Sequence, residues 1–221
     1  MKVDPELGEI IHCGLVVAKK ETPFGRDFDE NIRKGMFQKE AIASNFKQIL
    51  VLLGLDTEDA SLRETPRRVA KMFVDEVFYG LDYSNFPACT VFPNKMQYDE
   101  MLVQRNITIR SFCEHHFMPI EGIAHIGYIP SKSVIGLSKL NRIADFFARR
   151  PQVQERLVEQ IFFALSHILE TENVAVMIDA KHHCICGRGI NDALPMTTTT
   201  KLGGVFKDKP DVRQEFLSYI K

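Results

Sequence analysis

The sequence lacks several features that would each indicate a particular class of protein. Its 28 Lys and Arg residues are balanced by 29 Asp and Glu residues, so there is no positive excess of the kind that nucleic-acid binders use. The longest early apolar run, at 10–18, is interrupted by His12 and Cys13. It is too short to cross a bilayer and does not have the order of a secretory signal. We find no internal repeat, and we expect neither a nucleic-acid partner nor a membrane partner.

Cysteine is also scarce. The chain has five cysteines, an odd number, and two of them are separated by a single residue. This pattern does not suit a disulfide framework and favours a reduced compartment in which thiols serve a metal or catalysis. We therefore expect a soluble, cytoplasmic protein. At 221 residues it can form one large domain or a compact domain with a helical appendage.

The first part of the chain predicts an arm followed by helices. Residues 1–33 are charged and rich in turn formers, which indicates a loose arm. Residues 34–95 form a predicted helical region, in which apolar residues recur at helical spacing from 35 to 53. A second helix has Thr65 as its expected N-cap, Pro66 at its first position and Gly80 at its end.

Residues 96–221 form a predicted α+β domain. Alternating apolar and polar residues indicate strands at 103–112 and 120–129, and a short apolar run and a threonine run indicate two more at 174–178 and 197–200. Between these hairpins, helices are expected from Ser138 to Ala148 and from Pro151 onward, and a last helix from about Asp211. This order predicts an antiparallel sheet with two helices packed on one face.

Two clusters of thiol and imidazole side chains predict a metal site. The first, at 111–117, contains Cys113, His115 and His116. The second, at 181–189, contains His182, His183, Cys184 and Cys186. Thiolate and imidazole are the ligands that zinc prefers, so the two clusters together indicate one zinc site. Each residue taken alone is equally compatible with a buried thiol or a core histidine.

The kind of zinc site is left open by the residues themselves. Three protein ligands would leave a position for water, as in a catalytic site, whereas four would close the site. Cys113, His116, Cys184 and Cys186 could supply four. If the strand continued through 182–186, alternation would point Cys184 and Cys186 to the same face. Against a closed site, the chain has no Cys-x-x-Cys pair, and His115 and His182 are spare groups for acid–base chemistry.

Basic residues near these clusters suggest an anion site. Lys139 and Arg142 follow Ser138 at the expected start of a helix, where backbone amides also favour anions. Other candidates are Arg188, Arg68 and Lys71, although each alone could be a solvated surface charge. Gln154 and Glu155 are expected on the side of their helix opposite the packed stripe, where Glu155 could equally be a solvated carboxylate or pair with Arg156 or Arg150.

Several motifs together resemble GTP cyclohydrolase I from about residue 35 to the end. They are Glu-Thr-Pro-x-Arg at 64–68, Cys-Glu-His-His at 113–116, Gly-Leu-Ser-Lys-Leu-Asn-Arg at 136–142, Arg-Pro-Gln-Val-Gln-Glu-Arg-Leu at 150–157, His-x-Cys at 182–184, Arg-Gly-Ile at 188–190 and the threonine run at 197–200. The resemblance implies a tunnelling fold for 96–221. It also implies a homodecamer with active sites at subunit boundaries.

The resemblance further implies a role for each candidate residue. Zinc would be held by Cys113, His116 and Cys184, with a coordination position left for water. The residues implied to surround GTP are His115 and His182 beside the guanine, Gln154 and Glu155 at its recognition edge, Ser138 near the ribose, and Lys139, Arg142, Arg188, Arg68 and Lys71 around the triphosphate.

The implied reaction converts GTP to 7,8-dihydroneopterin triphosphate and formate, the first step of folate and pterin biosynthesis. Two other interpretations fit the residues: a zinc-stabilised interaction protein without catalysis, or another tunnelling-fold enzyme that acts on a pterin or deazapurine. Cys186 departs from the family pattern. If it were a fourth ligand, the metal site would be closed.

Overall fold

The computed structural model describes residues 36–220, so the predicted arm at 1–33 lies outside the described residues. The first helix, α1 (Met36–Leu52), confirms the helix expected from the apolar spacing. The chain turns at Gly54, whose φ of 80° lies in the left-handed region that glycine adopts without strain. Several apolar side chains near the end of α1 are exposed, including Leu52 and Leu53.

The second helical segment starts one residue earlier than its sequence indicates. Glu64 is the N-cap residue and Thr65 is already helical, so α2 spans Thr65–Lys71 with Pro66 in its first turn. The helix continues as a π-helical turn over Met72–Val77. Gly80 then donates its backbone N–H to Arg149 O, and a Cβ there would lie 2.1 Å from Phe146 O. Glycine therefore allows this segment to approach the backbone at 146–149 closely.

The main sheet has five strands in the order β5–β2–β3–β6–β7. All neighbours are antiparallel except β5 and β2, which are parallel. A separate antiparallel pair joins β1 to β4. The strands are β1 (Val91–Pro93), β2 (Leu102–Cys113), β3 (Pro119–Tyr128), β4 (Ser133–Ile135), β5 (Pro151–Gln152), β6 (Val174–His182) and β7 (Thr197–Leu202).

Two helices cover one face of the sheet and enclose the main core. These are α3 (Leu137–Ala148) and α4 (Gln154–Ile168), whose apolar stripes pack on buried strand residues such as Ile109 and Ile126. The opposite face is partly covered by two short helices near the end of the chain, α6 (Gly204–Asp208) and α7 (Pro210–Tyr219). Phe206 and Phe216 form a second small cluster there. The α+β prediction is thus confirmed.

Three local expectations are wrong for identifiable reasons. Ser138 does not cap α3, because the helix already begins at Leu137 with Gly136 at the N-cap. Pro151 does not start a helix, because it pairs with Phe112 in the parallel ladder between β5 and β2. The strand β6 stops at His182, and the next residues form one helical turn, α5 (His183–Cys186). Within residues 36–220, none of the helices has the length and apolarity needed to span a bilayer.

Candidate metal centre and active site

The turn between β2 and β3 presents the first pair of metal-ligating side chains. Cys113 is the last residue of β2, and His116 lies in the turn that follows. The turn is closed by the Cys113 N–H donating to Met118 O at 2.8 Å and the Phe117 N–H donating to Cys113 O at 2.9 Å. Cys113 is buried and His116 is exposed, so the pair lies at the edge of the core.

The third ligand comes from the end of β6. Because β3 and β6 pair in antiparallel register with Ile120 opposite His182, α5 begins beside the turn after β2. The ligand atoms of Cys113, His116 and Cys184 all lie within 4.8 Å of one another. Among the described residues, this is the one group of three or more His, Cys, Asp or Glu side chains arranged to hold a metal ion.

Cys186 does not share the orientation that strand alternation suggested. Residues 183–186 are helical, and residues two apart on a helix point about 200° from each other because each residue turns by about 100°. Cys186 is accordingly not part of the metal-ligand group within residues 36–220. The expectation that it faces the same side as Cys184 is therefore wrong.

The protein environment keeps the Cys184 thiol protonated more strongly than an exposed thiol. Burial raises the pKa of Cys184, and the neighbouring Cys113 sulfur adds to this rise. Arg188 acts in the opposite direction. A metal ion binds thiolate, so metal binding at this group would release a proton from each thiol.

The two histidines of the first cluster have different neighbours. The His115 ring Nδ1 is 3.7 Å from Cys113 Sγ, and its side chain is exposed. The His116 ring Nε2 is 2.8 Å from Arg188 Nη1. Guanidinium nitrogens only donate, so His116 Nε2 accepts this hydrogen bond and Nδ1 carries the ring hydrogen.

His182 is the last residue of β6 and contacts a buried glutamine. Its Nε2 is 2.7 Å from Gln154 Oε1. Burial lowers the pKa of His182, and the nearby Glu155 carboxylate partly offsets this effect. Gln154 is the first residue of α4 and is buried, so its expected place on the unpacked side of the helix is wrong. Glu155 is exposed, as expected.

The comparisons with known proteins agree on one family. The family model for GTP cyclohydrolase I matches residues 42–221. Proteins named GTP cyclohydrolase 1 from Salmonella arizonae and Salmonella newport are each 54% identical over 212 residues, covering 96% of this chain and 95% of theirs. The chain belongs to the GTP cyclohydrolase I family. Membership at this identity and coverage makes it an enzyme that acts on GTP.

The structure adds one ion pair beside the family's Cys-Glu-His-His motif that the sequence did not indicate. Glu114 pairs with the buried Arg156 of α4 through contacts of 2.6 Å and 3.3 Å. The sequence offered Glu155 as one possible partner for Arg156, and the structure shows an ion pair of Arg156 with Glu114. Glu114 and Arg156 are 42 residues apart, and the parallel pairing of β5 with the end of β2, directly before α4, brings them together.

The basic residues that the family resemblance assigns to the triphosphate fall into two places. Arg188 contacts the metal-ligand group through His116. The others lie on helices: Lys139 and Arg142 near the start of α3, and Arg68 and Lys71 on α2. Arg142 lines a cavity of about 350 Å³ with Tyr79 and Asp145. Within residues 36–220 of one chain, no hydrogen bond or ion pair joins these helical residues to the metal-ligand group.

Proposed function

We propose that this chain is a zinc enzyme that opens the imidazole ring of GTP, releases formate and forms 7,8-dihydroneopterin triphosphate. The observation that carries the proposal is the convergence of Cys113, His116 and Cys184 within 4.8 Å, in a chain of the GTP cyclohydrolase I family. The family supplies the substrate, and the geometry of these three side chains supports the metal.

The donor set fits zinc. Two sulfurs and one imidazole nitrogen are zinc ligands, and tetrahedral zinc would separate them by roughly 3.5–3.8 Å given its usual bond lengths. Cys113 Sγ and His116 Nδ1 are 3.9 Å apart, close to that value. Three protein ligands leave a coordination position for water. A zinc ion held here would supply Lewis-acid chemistry and lower the pKa of bound water to roughly 7.

Glu155 is the proposed selector of guanine. Its exposed carboxylate lies at the start of α4, one residue after the buried Gln154. A carboxylate can accept from both the N1–H and the 2-amino group of guanine. Adenine would leave the acid unpaired, so this contact discriminates between the two purines. His182, beside Glu155, would then hold or deliver the proton at the imidazole-ring nitrogen of GTP, with His115 as the second acid–base group.

Arg188 is proposed to change its hydrogen-bond partner from His116 to the triphosphate when the metal and GTP bind. It donates to His116 in the structure, and a neutral imidazole has a single in-plane lone pair to offer. A metal ion held by His116 Nδ1 would leave the ring hydrogen on Nε2, so Nε2 would no longer accept from Arg188 and the guanidinium would be available for the triphosphate. Lys139, Arg142, Arg68 and Lys71 would complete the phosphate contacts, and Ser138 would lie near the ribose.

We also propose a tunnelling fold assembled as a homodecamer with active sites between subunits. Two observations support assembly. In the described part of the chain, β7 has a ladder partner on one side only, and such an edge readily pairs with another chain. Exposed apolar residues near the end of α1, including Leu52 at 85% and Leu53 at 69%, favour burial against another copy. A neighbouring chain would then supply the helical basic residues to each site.

The direct test is to incubate purified protein of known zinc content with GTP. Formate is measured enzymatically, and the pterin product is oxidised to its fluorescent neopterin form. We expect equal amounts of formate and neopterin product. A zinc-bound protein that releases no formate would support the non-catalytic interaction protein, and turnover of a pterin but not of GTP would support another tunnelling-fold enzyme.

A further inference from the structure

The amide of Gln154 is buried and committed to protein partners. Its side chain is 2% exposed. The Nε2 atom lies 3.0 Å from Ile178 O and 2.8 Å from Thr197 O, with Thr199 Oγ1 at 3.1 Å. Backbone carbonyls only accept hydrogen bonds, so these contacts identify this end of the amide as the donor. The strands β6 and β7 therefore fix which way the Gln154 amide points.

The other end of the amide determines where the hydrogen lies on His182. Gln154 Oε1 is 2.7 Å from His182 Nε2. An amide oxygen carries no hydrogen, so His182 Nε2 must donate in this contact. In the neutral ring, Nδ1 is then the nitrogen that lacks a hydrogen. Two carbonyls on the sheet thus set the tautomer of a histidine through one glutamine.

We infer that Gln154 is a positioning residue that holds His182 as the Nε2–H tautomer, rather than a side chain that contacts guanine. This differs from the role implied by the family resemblance, because an amide with all these protein partners has little capacity left for a base. The inference rests on the proposed function only for its effect on catalysis, in which His182 transfers a proton. The tautomer itself follows from the contacts of Gln154.

The tautomer can be measured without substrate. Protein labelled with ¹⁵N in its histidine rings is examined by two-bond ¹⁵N–¹H correlation at alkaline pH, where imidazoles are neutral. The signal of His182 is assigned by its loss in His182→Gln. We expect the Nε2–H pattern for His182. An Nδ1–H pattern would overturn the inference.

A pair of matched variants tests the positioning role. Gln154→Met removes the amide from the first turn of α4, and Gln160→Met removes another buried amide from the same helix, one that accepts from Gln152 Nε2 at 2.7 Å. We expect Gln154→Met to lose the fixed tautomer and about 100-fold in kcat, with zinc content retained and KM for GTP little changed. Gln160→Met should keep the His182 tautomer and kcat.

The outcomes separate this inference from the proposed function. A raised KM with unchanged kcat in Gln154→Met would make Gln154 a guanine contact and overturn the inference. Retention of the Nε2–H tautomer in that variant would also overturn it. Absence of formate release by the unmodified protein would instead contradict the proposed function, while the substrate-free spectrum would still decide the tautomer. If Gln154→Met does not fold, the spectrum of the unmodified protein decides the tautomer in the same way.

Discussion

The three proposed metal ligands differ in burial, but metal binding should require all three. Cys113 is buried, Cys184 is half-buried and His116 is exposed, and no fourth His, Cys, Asp or Glu of residues 36–220 joins the group. Cys113→Ser or Cys184→Ser should therefore lose both zinc and formate release, because a hydroxyl is a poor zinc ligand. Zinc is measured by elemental analysis of the purified variants. Full zinc content in either variant would remove that residue from the ligand set.

Cys186→Ala is the matched control for these cysteine variants. Cys186 lies in the same helical turn as Cys184 but outside the ligand group. We expect this variant to keep zinc and formate release near the parent level under reducing conditions. Loss of its zinc would indicate a closed, four-ligand site and would weaken the catalytic assignment.

Glu155→Gln replaces one carboxylate oxygen of an exposed side chain with an amide NH2 group. The fold and the zinc content should stay intact. The new amide would point a donor at the donors of guanine, so we expect KM for GTP to rise at least roughly tenfold. Steady-state formate release over a range of GTP concentrations measures this. Unchanged turnover at low GTP would make Glu155 a solvated surface carboxylate.

Arg188→Gln should have effects of opposite sign on metal and substrate. The substitution removes a donor that competes with a metal ion for His116, so zinc should bind at least as tightly as before. It also removes the proposed charge-assisted contact to phosphate, so KM for GTP should rise roughly tenfold or more. A chromophoric chelator competes for the zinc and reports its affinity. Weaker zinc binding, or an unchanged KM, would contradict this exchange of partners.

The ligand types were predictable from the sequence, whereas several orientations were not. Thiols and imidazoles that recur in two short stretches indicated a metal site, and the family resemblance singled out Cys113, His116 and Cys184 as its ligands. The direction of Cys186 depends on β6 ending at His182, and alternation cannot reveal where a strand ends. The burial of Gln154 depends on acceptors from β6 and β7, which only the folded sheet brings to it.

Among the elements, the first turn of α4 connects most parts of the site. It carries Gln154 against His182, Glu155 at the surface and Arg156 against Glu114. The Arg156–Glu114 pair joins α4 to the residue that follows the ligand Cys113. The helix therefore orients both clusters that the sequence singled out.

Arg156→Met should destabilise the protein because it leaves Glu114 without its partner. Side-chain exposures of 7% for Arg156 and 17% for Glu114 place the pair mostly out of solvent. We expect a loss of about 3 kcal/mol in the free energy of unfolding, the lower end for a broken buried pair, since Glu114 keeps some solvent contact. Chemical denaturation with zinc content held equal measures it.

Arg149→Met is the control for that variant. Arg149 pairs with Asp145 on α3 at 2.9 Å, with side-chain exposures of 22% and 37%. Because this pair is more accessible to water, its loss should cost less than about 1 kcal/mol. Equal losses in the two variants would show that Glu114–Arg156 has no special part in stability.

The long helices and strands could be predicted from the period of their apolar residues, whereas the short ones could not. The strands β2 and β3 and the helix α1 appear close to their expected bounds. The two-residue β5 and three-residue β4 exist through their partners in the ladder, so no local pattern marks them. Pro151 shows the same limit: its ring suits a helix start, but pairing with Phe112 decides its conformation.

In the molecule as a whole, the proposed metal ligands and most of the proposed phosphate-binding residues lie on different elements. The metal-ligand group lies where the turn after β2 meets the end of β6, whereas most of the basic residues lie on α2 and the start of α3. Assembly with a neighbouring copy is the proposed way to bring them together. The exposed apolar residues of α1 and the open side of β7 are consistent with this arrangement.

Zinc titration of GTP turnover shows directly whether the proposed metal ion is needed for catalysis. The protein is freed of metal with a chelator under reducing conditions, zinc is returned in steps, and the initial rate of formate release from GTP is measured at each step. We predict a rate near zero without metal that rises linearly and levels off at about one zinc per chain, because the three ligands come from one polypeptide. Formate release that does not depend on zinc would contradict the proposed zinc-dependent reaction.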